Sequence, residues 1–324
     1  MTKYENQIPT SMNVSLKAML SMLRDSLRSG QDRRPLSHIP IVKSEFSERL
    51  NADDHPQVTW FGHSAFLLEI EGTRLLFDPM LGNRPSPVSW VGTKRYNVNL
   101  PVQPEDLPPL DAIILSHDHY DHLDYSSIRR LMNKTARFIV PHGVRRRLIQ
   151  IGVPSDKITE HGWWDELQFK SLTLACTPAR HFSGRGLFDR NSTLWCSWVI
   201  SGHETKVFFS GDSGYGPHFK EIGDKYGPFD LTMMECGQYD ERWANIHMMP
   251  EETVQAHLDV KGKLLIPIHW GAFTLAYHAW TDPVERITQA AQRANVDIAT
   301  PKIGEKVQIH NGIYPMERWW KSGF

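Results

Sequence analysis

Residues 114–124 read Ile-Leu-Ser-His-Asp-His-Tyr-Asp-His-Leu-Asp. Three imidazoles and three carboxylates follow a short apolar run. Either water solvates them or they hold a cation. A strand places residues i and i+2 on one side, so His117 and His119 at the end of "AIIL" can converge. Asp121 and His122 follow at the turn into a helix. A solvated loop has no need of the His-x-His-x-Asp-His spacing, which favours the cation.

Further candidates occupy equivalent places. Asp212 ends the run "KVFFSGD", His269 ends "LLIPIH", and His181 follows "CTPA". Apolar runs that end in a ligand type open onto one sheet edge, a common place for sites. Two sets result. His117, His119 and His181 offer three neutral nitrogens, a set that suits Zn2+. Asp121, His122 and His269 offer a carboxylate and two nitrogens, and Asp212 is placed to serve both. Two Zn2+ ions are expected, with Mn2+ or Fe2+ as alternatives. Water held between two such ions would ionise near neutral pH and become a nucleophile.

The elements that must position these residues are strands and helices in alternation. "QVTWFGHSAFLLEI", "TRLLFDP", "DAIILSH", "RFIVP", "ELQFKSLTLACTPA", "STLWCSWVIS", "KVFFSGDS", "LTMMEC" and "KLLIPIHW" read as strands, with a late one in "TPKIGEKVQI". Helical patterns cover 125–133, 143–151, 250–260 and 283–294. The fold class is α/β: two mixed sheets packed face to face with helices outside. Residues 57–324 form this domain and 1–56 an N-terminal arm. Within the arm, Leu16, Met19, Leu20, Leu23 and Leu27 make one stripe of an amphipathic helix over 14–28. The stripe is expected to pack on the domain; the competing reading is an interfacial helix that touches lipid. The Pro-rich stretch 83–109 is long enough to serve as a lid.

Composition narrows the function classes. Of 324 residues 40% are hydrophobic, and 36 basic against 37 acidic side chains leave a formal charge of −1. No bulk positive field draws in nucleic acid, so none is expected as a partner. The three cysteines, Cys176, Cys196 and Cys236, are widely spaced and fit buried thiols in a cytoplasmic protein. No secretory signal is read at the N-terminus, and the stripe is too interrupted by charge to span a membrane.

"SHDHYDHLD" resembles the signature of the metallo-β-lactamase superfamily. "TWFGHSAFLLEIEGTRLLFDP", "GTKRY", "TPARHFSGRGLFDRNSTLWCSW", "FSGDSGY", "GPFD", "HMMPEETVQAHLDV" and "IHWGAF" resemble, in order, its branch of N-acylphosphatidylethanolamine-hydrolysing phospholipase D. A more distant likeness is to L-ascorbate-6-phosphate lactonase. The resemblance implies a four-layer αβ/βα sandwich with a dinuclear zinc site holding the seven residues above. It adds His247 as a residue near the substrate phosphate or leaving group; otherwise His247 is a helix-entry residue. It suggests Asp78 as an acceptor orienting a ligand imidazole, Asp124 in that role or as a helix N-cap, and His63 as a hydrogen-bonder under the site. Relatives of this kind suggest a homodimer.

Two departures concern the substrate. "MECGQYDERW" replaces a Pro-Ile-Gly-Ala-Tyr-like stretch, so Glu235 and Gln238 should make that wall more polar. Phe182 stands where a Trp is usual. The first expectation is a phosphodiesterase of phospholipase D type acting on a small molecule or phospholipid, with Asp121, Asp212 and His247 as its catalytic residues. Trp90, Tyr96, Trp163 and Trp164 are candidates for an apolar mouth. The alternatives are a lactonase or other carbonyl-ester hydrolase on the same centre, a di-iron redox protein, and a metal-dependent binding protein. The redox variant normally carries Glu at position 119 and a flavin domain, and neither is here.

Overall fold

The computed structural model describes residues 3–13, 15–27, 32–88 and 90–321. Val14 and Arg28, the ends of the expected arm helix, and the side chain of Leu27 lie outside that description.

The chain lays down six strands of one sheet first: β1 (Gln57–Trp60), β2 (Phe66–Ile70), β3 (Thr73–Phe77), β4 (Leu110–Ile114), β5 (Thr135–Pro141) and β6 (Ile158–His161). The second sheet follows with β7 (Glu166–Phe169), β8 (Leu172–Thr177), β9 (Ser197–Ser201), β10 (Lys206–Phe209), β11 (Phe229–Glu235), β12 (Gly262–Ile268) and β13 (Asp297–Ile298). β14 (Lys306–Gln308) returns to β1, giving the orders 14-1-2-3-4-5-6 and 13-12-11-10-9-8-7. Each sheet is antiparallel on one side and parallel on the other, with the change at β3–β4 and at β10–β11. This is the expected pair of mixed sheets.

Both faces of the first sheet are covered, so its strands are apolar throughout rather than alternating. Phe66, Leu68, Leu75 and Phe77 face the second sheet. Leu67, Leu76 and Ile113 face outward onto α2 (Tyr125–Leu131) and α3 (Arg145–Gln150) through Ile128, Leu131 and Leu148. The sheets meet at an aromatic cluster: Phe66 and Phe77 stack at 4.4 Å, and Phe209 meets them edge-on at 5.2 and 5.4 Å. Such a pair adds roughly 0.5–1.5 kcal/mol beyond its area burial. Helices α4 (His218–Tyr226), α5 (Pro250–Asp259) and α6 (Asp282–Ala294) belong to the second half, with Val254, Val284 and Ile287 in its core. α4 and β6 were not anticipated, and "ELQFKSLTLACTPA" is two strands, turned at Lys170 with φ of 55°.

The arm runs against the domain. α1 (Leu16–Leu27) presents Ala18 inward, while Ser21 and Asp25, one and two turns on, bond Arg242. The expected packing of the stripe is therefore corrected: Leu16, Met19, Leu20 and Leu23 are 73, 57, 59 and 56% exposed. The polar anchors turn the small residue in and the large ones out. Among the described residues no helix is long and apolar enough to cross a membrane. Within the stretch 83–109, residues 95–97 are pinned. Arg95, Tyr96 and Asn97 are buried, Arg95 donates to the Met80 and Gly82 carbonyls, and Asn97 donates to Ile39.

Candidate metal centre

The centre lies at the edge where β4, β8, β10 and β12 end. β4 delivers 117–122, β8 leads to His181, β10 to Asp212 and β12 to His269. His117 Nε2 lies 2.9 Å from His119 Nδ1, and His181 Nε2 lies 3.2 Å from the same atom. Asp121, His122 and His269 gather beside them together with His63. Asp212 stands between the sets. Its Oδ2 is 3.8 Å from His117 Nε2 and His181 Nε2 and 3.0 Å from His122 Nε2, while Oδ1 is 3.1 Å from His269 Nδ1. All seven expected ligands thus converge in two adjoining groups with one shared carboxylate.

Surrounding side chains fix how these ligands face. His122 Nδ1 donates to Asp78 at 2.6 Å, which turns its Nε2 to the centre. Asp78 also accepts the Ser116 N–H at 2.8 Å, and Ser116 Oγ contacts His117 Nδ1 at 2.9 Å. His181 Nδ1 donates to the Ile246 carbonyl at 2.9 Å. His63 Nε2 donates to Asp121 at 3.0 Å. Such outer partners set imidazole tautomer and orientation. Asp124 has the other role suggested for it: it caps α2, accepting from the N–H groups of Ser126 and Ser127.

The backbone carries strain at the same place. His63, Asp78, Gln238 and His269 have φ of 55°, 35°, 62° and 65°. Left-handed non-glycine residues cost of order 1 kcal/mol or more each and collect at functional sites. His63 and His269 support one another: His63 N–H donates to the Trp270 carbonyl and His269 N–H to the His63 carbonyl, both at 2.9 Å.

These residues fit divalent cations. His122 Nε2 and Asp212 Oδ1 are buried at the centre without hydrogen-bond partners, a costly arrangement unless another group binds them. Burial pushes the His117, His119, His181 and His269 imidazoles down, so they stay neutral and their lone pairs remain available. Burial also drives the Asp121 and Asp212 carboxyls up, but the neighbouring imidazoles, His122 foremost, outweigh it and hold both well below the usual carboxylate range. At His122 burial is in turn overcome by Asp212, Asp121 and Asp78, which raise it. Those carboxylates make the centre a place where positive charge is favoured.

A cavity of about 290 Å³ opens above the centre. Its wall is Met12, Phe182, Trp243, Ile246 and Leu275, with His247 and Gln238 beside the ligands. Trp90, Tyr96, Trp163 and Trp164 do not line it. Trp163 and Trp164 pack against the core between the sheets, Tyr96 is buried against Thr274, and Trp90 is on the surface. The wall is also less polar than expected. Glu235 is wholly buried behind His247, and its acceptors are used by His247 Nδ1 and the N–H groups of Ser213 and Met248. Gln238 is turned onto the backbone of Phe273 and Leu275. Met12 arrives from the N-terminal arm, where no motif marks it, and Trp243 ends the stretch "MECGQYDERW", in which the expectation fell on Glu235 and Gln238 instead.

The family model of the "Beta-lactamase superfamily domain" matches residues 73–270, from β3 to just past His269. The chain belongs to the metallo-β-lactamase superfamily. It is 47% identical over 294 residues to an uncharacterized protein of Mycobacterium tuberculosis strain H37Rv, covering 89% of this chain and 77% of that one. It is 38% identical over 256 residues to N-acyl-phosphatidylethanolamine-hydrolyzing phospholipase D 1 of Caenorhabditis elegans, covering 75% of this chain and 72% of that one. Among solved structures, the isothiocyanate hydrolase from Delia radicum gut bacteria superposes with a TM-score of 0.61 at 20% identity, over 78% of this chain and 98% of that one. That likeness speaks for the fold alone. This superfamily member is a metal-dependent hydrolase.

Proposed function

We propose that this hydrolase is a phosphodiesterase of phospholipase D type that works with two Zn2+ ions and acts on a phosphodiester carrying an apolar group. The cavity carries the reading. Five of the seven candidate ligands, His119, Asp121, His181, Asp212 and His269, lie at its floor and five apolar side chains form its wall, and no Lys or Arg is among the described residues that line it. A diester bears one negative charge, which a dinuclear centre can match unaided. A terminal phosphate dianion is usually met by added Arg or Lys donors. The likeness to the Caenorhabditis elegans phospholipase D supports the same choice.

In this reading His117, His119 and His181 hold one ion, Asp121, His122 and His269 the other, and Asp212 both. When bound, the ions supply Lewis acidity and lower the pKa of water. The chain's own residues do the rest. Asp121, the part-exposed ligand carboxylate, would orient the attacking water, whose proton leaves to solvent. Asp212 keeps both halves of the floor in register. Water oxygen bonds to phosphorus and the P–O bond to the alcohol breaks. His247 gives its Nε2 proton to the departing oxygen, since Nδ1 is committed to Glu235. Burial lowers the His247 imidazole, but Glu235 outweighs it, and the group is pushed up to about 8.

The same proposal includes contact with a membrane surface from the cytoplasmic side. α1 is tied to Arg242 beside the wall residue Trp243, with its apolar stripe turned outward. On the loop after Phe182, Leu187 and Phe188 are almost fully exposed. Two apolar projections are thus carried by segments that adjoin wall residues, a feature suited to a lipid interface.

Zinc-loaded protein should hydrolyse bis(p-nitrophenyl) phosphate in preference to p-nitrophenyl phosphate, and Asp212→Ala should lose turnover and metal together. Turnover of lactones without turnover of diesters would transfer the centre to the carbonyl-hydrolase reading. Full activity in the Asp212→Ala variant would reject the ligand assignment.

A further inference from the structure

The N-terminal segment 4–13 crosses the metal centre. Tyr4 N–H donates to the Asn191 carbonyl at 2.9 Å on one side, and Asn13 N–H donates to the Arg242 carbonyl at 2.8 Å on the other. Between these points Asn6 meets a metal ligand directly. Its Nδ2 donates to the His181 carbonyl at 2.8 Å, and its Oδ1 accepts the His181 N–H at 3.1 Å and the Trp195 indole N–H at 3.0 Å. One side-chain amide thus satisfies both backbone groups of His181. The next contact reinforces it. The Arg180 guanidinium donates to Thr10 Oγ1 at 3.1 Å, to the Pro9 carbonyl at 2.9 Å and to the Tyr215 carbonyl at 2.9 Å. Asn245 donates to the Ser11 carbonyl at 2.9 Å, and Met12 then forms part of the cavity wall next to Phe182.

We propose that this segment is part of the catalytic apparatus: Asn6 is a positioning residue for His181, and Met12 is a specificity-determining wall for the apolar group of the substrate. His181 sits on a loop, between the end of β8 and β9, where no sheet ladder fixes its backbone. Its imidazole is held away from the centre through Nδ1, which donates to the Ile246 carbonyl. The Arg180 backbone before it is held by Ser213 and Gly214, while the N–H and carbonyl of His181 itself are met by Asn6, 175 residues away in sequence. Loss of an outer partner of a ligand typically weakens metal binding 10- to 100-fold. The role of Met12 rests on the phosphodiesterase reading; that of Asn6 does not.

The test compares Asn6→Ala, Asn6→Asp and Met12→Ala in the full chain. Zinc affinity is read by competition with a chromophoric chelator and folding by thermal melting. Asn6→Ala should weaken one of the two zinc sites at least tenfold while melting cooperatively. Asn6→Asp retains the acceptor and should recover part of that loss. Wild-type affinity at both sites in Asn6→Ala would overturn the positioning role, as would equal loss at both sites. For Met12→Ala, kcat/KM for a long-chain phosphodiester relative to bis(p-nitrophenyl) phosphate should fall several-fold. An unchanged ratio would overturn the wall role. If no phosphodiester is turned over by the wild type, the function reading and the Met12 role fail together, and zinc competition alone decides the role of Asn6.

Discussion

The carboxylate of Glu235, with no surface exposed to solvent, accepts the Nδ1–H of His247 at 2.9 Å. Burial pushes the Glu235 carboxyl up, and the His247 charge works against that rise. The pair gives the imidazole a fixed tautomer and a charge partner behind the cavity. Glu235→Gln should therefore slow hydrolysis of a diester with an alkyl alcohol leaving group by about 100-fold, the low end of general acid catalysis. Diesters that release p-nitrophenolate need little protonation and should be slowed far less. Equal slowing of both classes in steady-state assays would show that Glu235 serves the fold rather than the proton.

Asp78 should matter for metal rather than for turnover as such. It binds His122 Nδ1 and the Ser116 backbone. Asp78→Asn presents an amide to the imidazole and should weaken zinc binding about 10- to 100-fold. Isothermal titration of zinc into metal-free protein checks this, with kcat at saturating zinc as the second reading.

Stability should depend on pH through a histidine remote from the centre. His257 of α5 is buried and contacts Thr232 Oγ1 at 2.7 Å, and burial pushes its pKa down to about 4. The folded form thus keeps it neutral where the unfolded chain, at about 6.5, already binds a proton. Above pH 6.5 it costs nothing. As pH falls from 6.5 to about 4 stability drops by about 3 kcal/mol, and below that the loss is complete. His257→Gln retains a polar partner for Thr232 and should flatten that part of the melting-temperature profile. A parallel profile would assign the acid sensitivity elsewhere.

The exposed stripe of α1 gives a prediction separable from folding. Leu20→Glu with Leu23→Glu replaces side chains that pack on little, so melting should change by no more than exposed sites usually allow, about 0.5 kcal/mol each. Co-sedimentation with phospholipid vesicles should be lost. Retained binding would exclude α1 as the contact.

The convergence of the seven candidate ligands was legible in the sequence because most of them end an apolar run, and a strand end is a place that pattern can mark. His117, His119 and His122 share one short segment, and His181, Asp212 and His269 repeat its setting. The cavity wall was not legible. An indole is apolar wherever it stands, so Trp163 and Trp164 looked as suitable as Trp243, yet they pack into the core. Asn6 and Met12 reach the site only through tertiary approach, which no local period records. The orientation of α1 followed from Arg242, more than two hundred residues away, rather than from its hydrophobic stripe.

His63 and His269 hold each other by their backbones, and they belong to different sheets. The segment after β4 brings four candidate ligands from the first sheet; the loops after β8, β10 and β12 bring three from the second. Neither half of the chain brings all seven candidates together alone. The full set of seven therefore exists only where the two sheets, already joined through their aromatic core, have docked in register.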